Sequence, residues 1–105
     1  MAEVLHVQVR QEVGRNAVKK VRKAGHVPAI LYGHGQANVN LAIRGEELAA
    51  ALRRNAKLVG LEGDVKDTAL IRGIQWDAFG VDALHIDLLR VSTTEAVEEI
   101  GRAHV

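Results

Sequence analysis

From Leu5 to Gln11 apolar and polar residues alternate, with Leu5, Val7 and Val9 set against His6, Gln8 and Arg10. A period of two predicts a strand with one buried face. Gly14 breaks the alternation, and the run AVKKVRKAG predicts a short helix that Asn16 caps and Gly25 closes in the left-handed conformation. At about 100° per residue, Ala17, Val21 and Ala24 share one stripe, while Arg15, Lys19, Lys20, Arg22 and Lys23 spread over the opposite side. The helix thus has an apolar back and a cationic front. His26 to Tyr32 is a β-prone apolar run with Pro28 near its start, a placement that suits an edge strand.

Gly33-His34-Gly35-Gln36 reads as a loop, after which Val39, Leu41 and Ile43 alternate with Asn38, Asn40, Ala42 and Arg44 to make a second half-buried strand. Residues 46–54 form the clearest helix pattern, with Glu46 and Glu47 in the first turn and Arg53 and Arg54 in the last, as the macrodipole favours. Its core side is Leu48, Ala51 and Leu52. Leu58 to Leu61 and Val65 to Ile74 read as a hairpin about Gly63-Asp64. Trp76 to Asp82 is a longer connection, and Leu84, Ile86 and Leu88 alternate with His85, Asp87 and Leu89 in a last strand. After Val91 the sequence turns acidic and loses any core face.

Five or six short strands with two helices between them predict an α+β fold: a mostly antiparallel, six-stranded, β-barrel-like domain with two inserted helices. A doubly wound parallel sheet fits less well. The expected domain covers residues 1–91, with 92–105 a tail or the truncated start of a second β domain.

Composition narrows the function more than the fold. The 105 residues include 14 Lys and Arg, 13 Asp and Glu, and no cysteine, which excludes disulfides, thiol nucleophiles and cysteine-ligated metal sites and agrees with a reducing compartment. The N-terminal alternation is unlike a signal peptide, and no apolar stretch approaches the roughly 18 residues that cross a bilayer. A soluble protein without a membrane partner is expected. Charge is unevenly placed: residues 1–35 carry six bases and two acids, residues 36–105 eight bases and eleven acids. A polyanion partner is the function class that such asymmetry favours.

Candidate chemistry is sparse. The cations Arg10, Arg15, Lys19, Lys20, Arg22 and Lys23 lie close together, with Glu12 the one acid between Arg10 and Arg15 and none from Arg15 to Lys23, which suits phosphate neutralisation, although a helix face of this kind also serves simply to stay solvated. Tyr32, beside the Gly33–Gly35 loop, could stack on a base or line the core rim. His85 and Asp87 share a strand face and could join His34 in a metal site or acid–base pair; a surface His–Asp pair is the plainer reading. Glu46 and Glu47 point apart on their helix. Neither a dinucleotide fingerprint, a Walker loop nor a nucleophile elbow is present.

Taken in order, RQEVGRNAVKKVRKAGHVPAILYGHG resembles the N-terminal signature of the bacterial ribosomal proteins called L-twenty-five, whose longer members are known as general stress protein Ctc. Arg10, Glu12, Gly14, Lys20, Val21, Arg22, Gly25, Pro28, Ala29, Tyr32 and Gly33 occupy the positions of that pattern. Ile74-Gln75 and Leu84-His85-Ile86-Asp87-Leu88-Leu89-Arg90-Val91 are similar to its second half, so the likeness covers about residues 4–91. The resemblance implies a six-stranded barrel-like domain and a structural, non-catalytic role in translation: binding 5S rRNA around its loop E on the large ribosomal subunit. It also implies that Arg10, Arg15, Lys19, Lys20, Arg22 and Lys23 contact phosphates and that Tyr32 and Gly33 lie against the RNA backbone. Gln75, His85 and Asp87 would sit near the groove.

No cofactor of the protein's own is implied, only an RNA-held magnesium ion near Asp87. Partners would be 5S rRNA and other large-subunit components, with a cytoplasmic location, a monomer off the ribosome and no small-molecule substrate. One departure stands out: where the family usually has arginine after Gln75 and proline two residues later, this chain has Trp76-Asp77-Ala78. Two other function classes remain: a small metal-dependent hydrolase using His34, His85 and Asp87, and a stress-response adaptor whose basic helix docks on an acidic protein.

Overall fold

Alternation becomes curvature in the three-dimensional structure, a computed structural model that describes residues 3–11, 14–80 and 82–91. Eight elements follow one another: β1 (Glu3–Val9), α1 (Arg15–Lys23), β2 (His26–Gly33), β3 (Gln36–Arg44), α2 (Gly45–Arg53), β4 (Leu58–Gly63), β5 (Asp67–Trp76) and β6 (Ala83–Arg90). The six strands close into a barrel in the order β1-β3-β2-β6-β5-β4. Four neighbouring pairs are antiparallel, while β1 with β4 and β2 with β6 are parallel, so the expected α+β barrel with two inserted helices is the fold found. Closure gives every strand a neighbour on both sides.

Inward positions fill the interior with aliphatic side chains: Leu5 and Val7 from β1, Leu31 from β2, Leu41 and Ile43 from β3, Leu61 from β4, and Ile86 and Leu88 from β6. Side chains this deeply buried contribute about 1.5–3 kcal/mol each before chain entropy is counted. Helix α2 plugs one end with Leu48 and Ala51, as its apolar side predicts. His6 on β1 fixes it there, its backbone N–H donating to Glu47 Oε1 at 2.8 Å and its Nδ1 lying 2.7 Å from Oε2. Arg54 closes the same end by donating to both carboxylate oxygens of Glu3, at 2.9 and 3.0 Å.

Four expectations are corrected. The β2 strand is not an edge: it pairs with β3 on one side and, from Ala29 onward, with β6 on the other. Pro28 is tolerated because it precedes the first β6 pairing, so its missing N–H costs no bond on that side. Asn16 does not cap α1, because the helix begins two residues earlier than expected, at Arg15, with Gly14 as N-cap (φ 107°) and no side chain bonding the free amides. Ala24 is exposed rather than packed, leaving Ala17, Val18 and Val21 as the inner side of α1. Gly25 does close the helix at φ 82°, its N–H donating to the Arg22 carbonyl. The hairpin strand begins at Asp67, so Val65 belongs to the turn. Glu12 and the proposed tail at 92–105 lie outside the described residues.

Candidate nucleic-acid interface

Register places one outer wall of the barrel beside α1. Pro28 of β2 pairs with Ala42 of β3; both point outward, yet both are buried where α1 packs against the barrel. The outward rows next to this helix run Asn40–Ile30–Asp87–Gly73 and, one step toward the α2 end, reach His85 and Gln75. Arg10 joins the first row through its backbone N–H, which donates to the Asn40 carbonyl at 2.8 Å. Tyr32 and Leu89 pair one step in the other direction.

Five of the expected contacts come from α1. Arg15, Lys19, Lys20, Arg22 and Lys23 are all exposed, and at 100° per residue they occupy about 160° of arc opposite Ala17 and Val21. Among the described residues, Arg15, Lys19, Lys20 and Lys23 form no ion pair, in contrast to Arg54 with Glu3 and Arg90 with Asp67. Lys20, Arg22 and Lys23 in the last turn suit the helix dipole, but Arg15 in the first turn opposes it and Gly14 offers no cap. Helix stability alone does not explain that choice of residues.

The remaining expected residues fall into two groups. Gln75, His85 and Asp87 come together on the outward wall: Gln75 pairs with His85, and His85 Nδ1 is 3.4 Å from Asp87 Oδ1, a charge pair only when the imidazole is protonated. Arg10 and Gly33 are tied into the scaffold. Arg10 is half-buried, with its Nε enclosed and without a hydrogen-bond partner among the described residues. Gly33, at φ 109°, gives its carbonyl to Arg90, and a Cβ there would come 2.6 Å from Leu89 Cδ1.

His34 does not join His85 and Asp87, which removes the hydrolase reading. It lies in the β2–β3 turn beyond the Tyr32–Leu89 rung, and the four residues from Leu89 back to His85 alone span about 13 Å at 3.3 Å each. Among the described residues no group of three or more His, Asp or Glu could hold a metal ion, and no helix is long and apolar enough to cross a membrane.

Two features escaped the sequence. Arg90 is 5% exposed and spans three partners: Nη1 donates to the Gly33 carbonyl at 3.0 Å, Nη2 to the Ala37 carbonyl at 2.9 Å, and Nε lies 3.7 Å from Asp67 Oδ2. Arg22 similarly donates through Nη2 to the Leu84 carbonyl at 3.0 Å. The Ala37 and Leu84 carbonyls lie at interruptions of the ladders, where the register slips by one residue and the extra residue loses its cross-strand partner. The second feature is that none of the chain's three aromatic residues enters the core: Tyr32 is half-buried on the outer wall, Trp76 is 46% exposed and Phe79 is 88% exposed. Phe79 gave no signal beyond its place in a loop.

The structure is thus a closed barrel with a cationic helix along one polar wall, and comparison with known proteins places it. A sequence model described as the Ribosomal L25p family matches residues 5–88. The large ribosomal subunit protein bL25 of Rhodopirellula baltica is 46% identical over 98 residues, 93% of this chain and 46% of the relative. The protein of that name from Streptomyces avermitilis is 37% identical over 99 residues (92% and 50%), and that from Bordetella avium 34% identical over 94 residues (85% and 48%). The chain belongs to the ribosomal L25p family, which sets it among ribosomal proteins rather than enzymes. It spans about half the length of the curated relatives it matches.

Proposed function

We propose that this chain is a non-catalytic component of the large ribosomal subunit that clamps a duplex segment of 5S rRNA around loop E. The arc of α1 would follow the phosphates while the outward wall of β2, β6 and β5 meets the groove. The observation that carries this reading is the set of exposed α1 cations without carboxylate partners among the described residues, set beside Gln75, His85 and Asp87. A cation left unpaired by its own protein is free to displace counterions from a polyanion, which is the source of sequence-independent affinity. In this reading Arg10, Arg15, Lys19, Lys20, Arg22 and Lys23 face phosphates, and Tyr32 and Gly33 lie along the backbone.

Asp87 is a lone carboxylate on a phosphate-facing wall, so any magnesium ion there belongs to the RNA and is met through its water. Residues 1–91 form the RNA-binding barrel, and 92–105 are a tail or the start of a second β domain. The protein works in the bacterial cytoplasm, beside other large-subunit components, and is a monomer away from the ribosome.

The test is a filter-binding titration with a 5S rRNA fragment across a range of salt. Neutralising about five phosphates gives a slope of log affinity against log salt of about −3.5 to −4.5. Replacing Lys19 and Lys20 with Ala should make it shallower by about 1.4–1.8. An unchanged slope in that double variant refutes the assignment of the helix to the phosphates.

A further inference from the structure

At the α2 end of the barrel, beside the wall just described, lies a cavity of about 710 Å³. Val27, Leu48 and Leu52 contribute its apolar lining, and Trp76 lines it as well. The cations Arg22 and Arg53, together with His26, stand on its rim against a single carboxylate, Asp82. Its volume lies within the roughly 300–1,000 Å³ of small-ligand pockets. Trp76 directly follows Gln75, and Arg22 belongs to both the cavity and the cationic arc of α1. The cavity is therefore continuous with the proposed RNA-facing surface.

The aromatic inventory makes this placement informative. A core built only from aliphatic residues leaves the chain's single tryptophan at the mouth of the cavity, 46% exposed. Buried aromatics are a large source of stability, and this one is withheld from the interior. Unpaired bases are commonly recognised by stacking on aromatic side chains while nearby cations hold the flanking phosphates. We infer that the Trp76 cavity receives one unpaired nucleotide of the bound RNA, its base against the indole and apolar lining and its phosphate at Arg22, Arg53 and His26. This rests on the RNA-binding reading above and adds to it a recognition element that duplex contacts lack. An acidic apolar protein segment would meet the same lining, but the continuity with α1 favours RNA.

Because Trp76 is the only tryptophan, the intrinsic fluorescence of the intact chain reports on the cavity directly. Two RNA probes share one duplex sequence, one fully paired and the other with a single bulged purine. The bulged RNA should bind more tightly and quench the fluorescence, while the paired duplex binds with little quenching. Trp76→Ala should lose about 5- to 150-fold in affinity for the bulged RNA, the range for one stacked base, and nothing for the paired duplex. Trp76→Phe should recover part of that loss, which separates stacking from a folding defect.

If the two RNAs bind alike, with unchanged fluorescence and no effect of Trp76→Ala, the cavity inference fails while the clamp reading stands. If neither RNA binds, both fail. Quenching by a peptide of alternating Glu and Leu, with none by bulged RNA, assigns the cavity to a protein partner and overturns the inference.

Discussion

Arg90 should be a stability residue on which the proposed RNA-facing wall depends without itself touching RNA. Its guanidinium holds the Gly33 and Ala37 carbonyls at 3.0 and 2.9 Å and stands 3.7 Å from Asp67, so it fastens the β2–β3 turn to β5 and β6. Arg90→Met keeps the apolar stem and removes all three contacts. Hydrogen bonds to a charged group are worth about 1.5–3 kcal/mol each, and removing one member of a buried pair costs about 3–5 kcal/mol. Ala37 is exposed, so water can take over its carbonyl, which puts the expected loss near the lower end, about 3 kcal/mol.

That is a large share of the about 5–15 kcal/mol typical of a domain, and it lowers the Tm by at least about 12 °C. Arg90→Lys keeps the charge but cannot reach both carbonyls, so it should lose about half as much. Urea denaturation followed by circular dichroism measures both, with the slope of the unfolding transition held constant as evidence that only the native state has changed. A loss below about 1 kcal/mol for Arg90→Met would refute the bridging role. On RNA, Arg90→Lys should weaken binding by loosening the Tyr32–Gly33 segment while leaving the salt slope at its wild-type value, because no phosphate contact is removed. A shallower slope would instead make Arg90 a phosphate ligand.

Two further outcomes follow from the same geometry. Burial alone would raise the pKa of Glu47, but the backbone N–H and imidazole of His6, with Arg44, outweigh it and hold the carboxyl below its ordinary 4.5. Its contribution to stability is therefore complete above pH 4.5 and drains away as the pH falls through the lowered value, a loss absent from Glu47→Gln in parallel acid titrations of unfolding. Gly33→Ala should destabilise by about 1–3 kcal/mol, since φ 109° is hostile to a side chain and Leu89 Cδ1 must yield; thermal melts would show it. A neutral result would mean that the turn relaxes freely.

How much of this was legible beforehand depends on the range over which each signal acts. The strands were readable because a two-residue period is a local property, and the outward wall was half-readable because His85 and Asp87 sit two apart on one strand. The amphipathic character of α1 was visible for the same reason. Its start was not, since Asn16 is the better capping residue by type while the chain's path into the helix places Gly14 at the cap. Pro28 suggested an edge because a lone segment cannot reveal whether a sixth strand arrives at Ala29 rather than at Pro28.

Arg90 and Trp76 were opaque for a deeper reason. Arg90 acquires meaning only when a bulge 53 residues away presents the Ala37 carbonyl, and Trp76 only when α2 and β2 supply the rest of a cavity. Local pattern encodes which face of an element is wet. It is silent on which polar atoms a closed barrel strands at its irregularities, and those atoms are where Arg22 and Arg90 hold the outward wall of β2, β6 and β5 in shape.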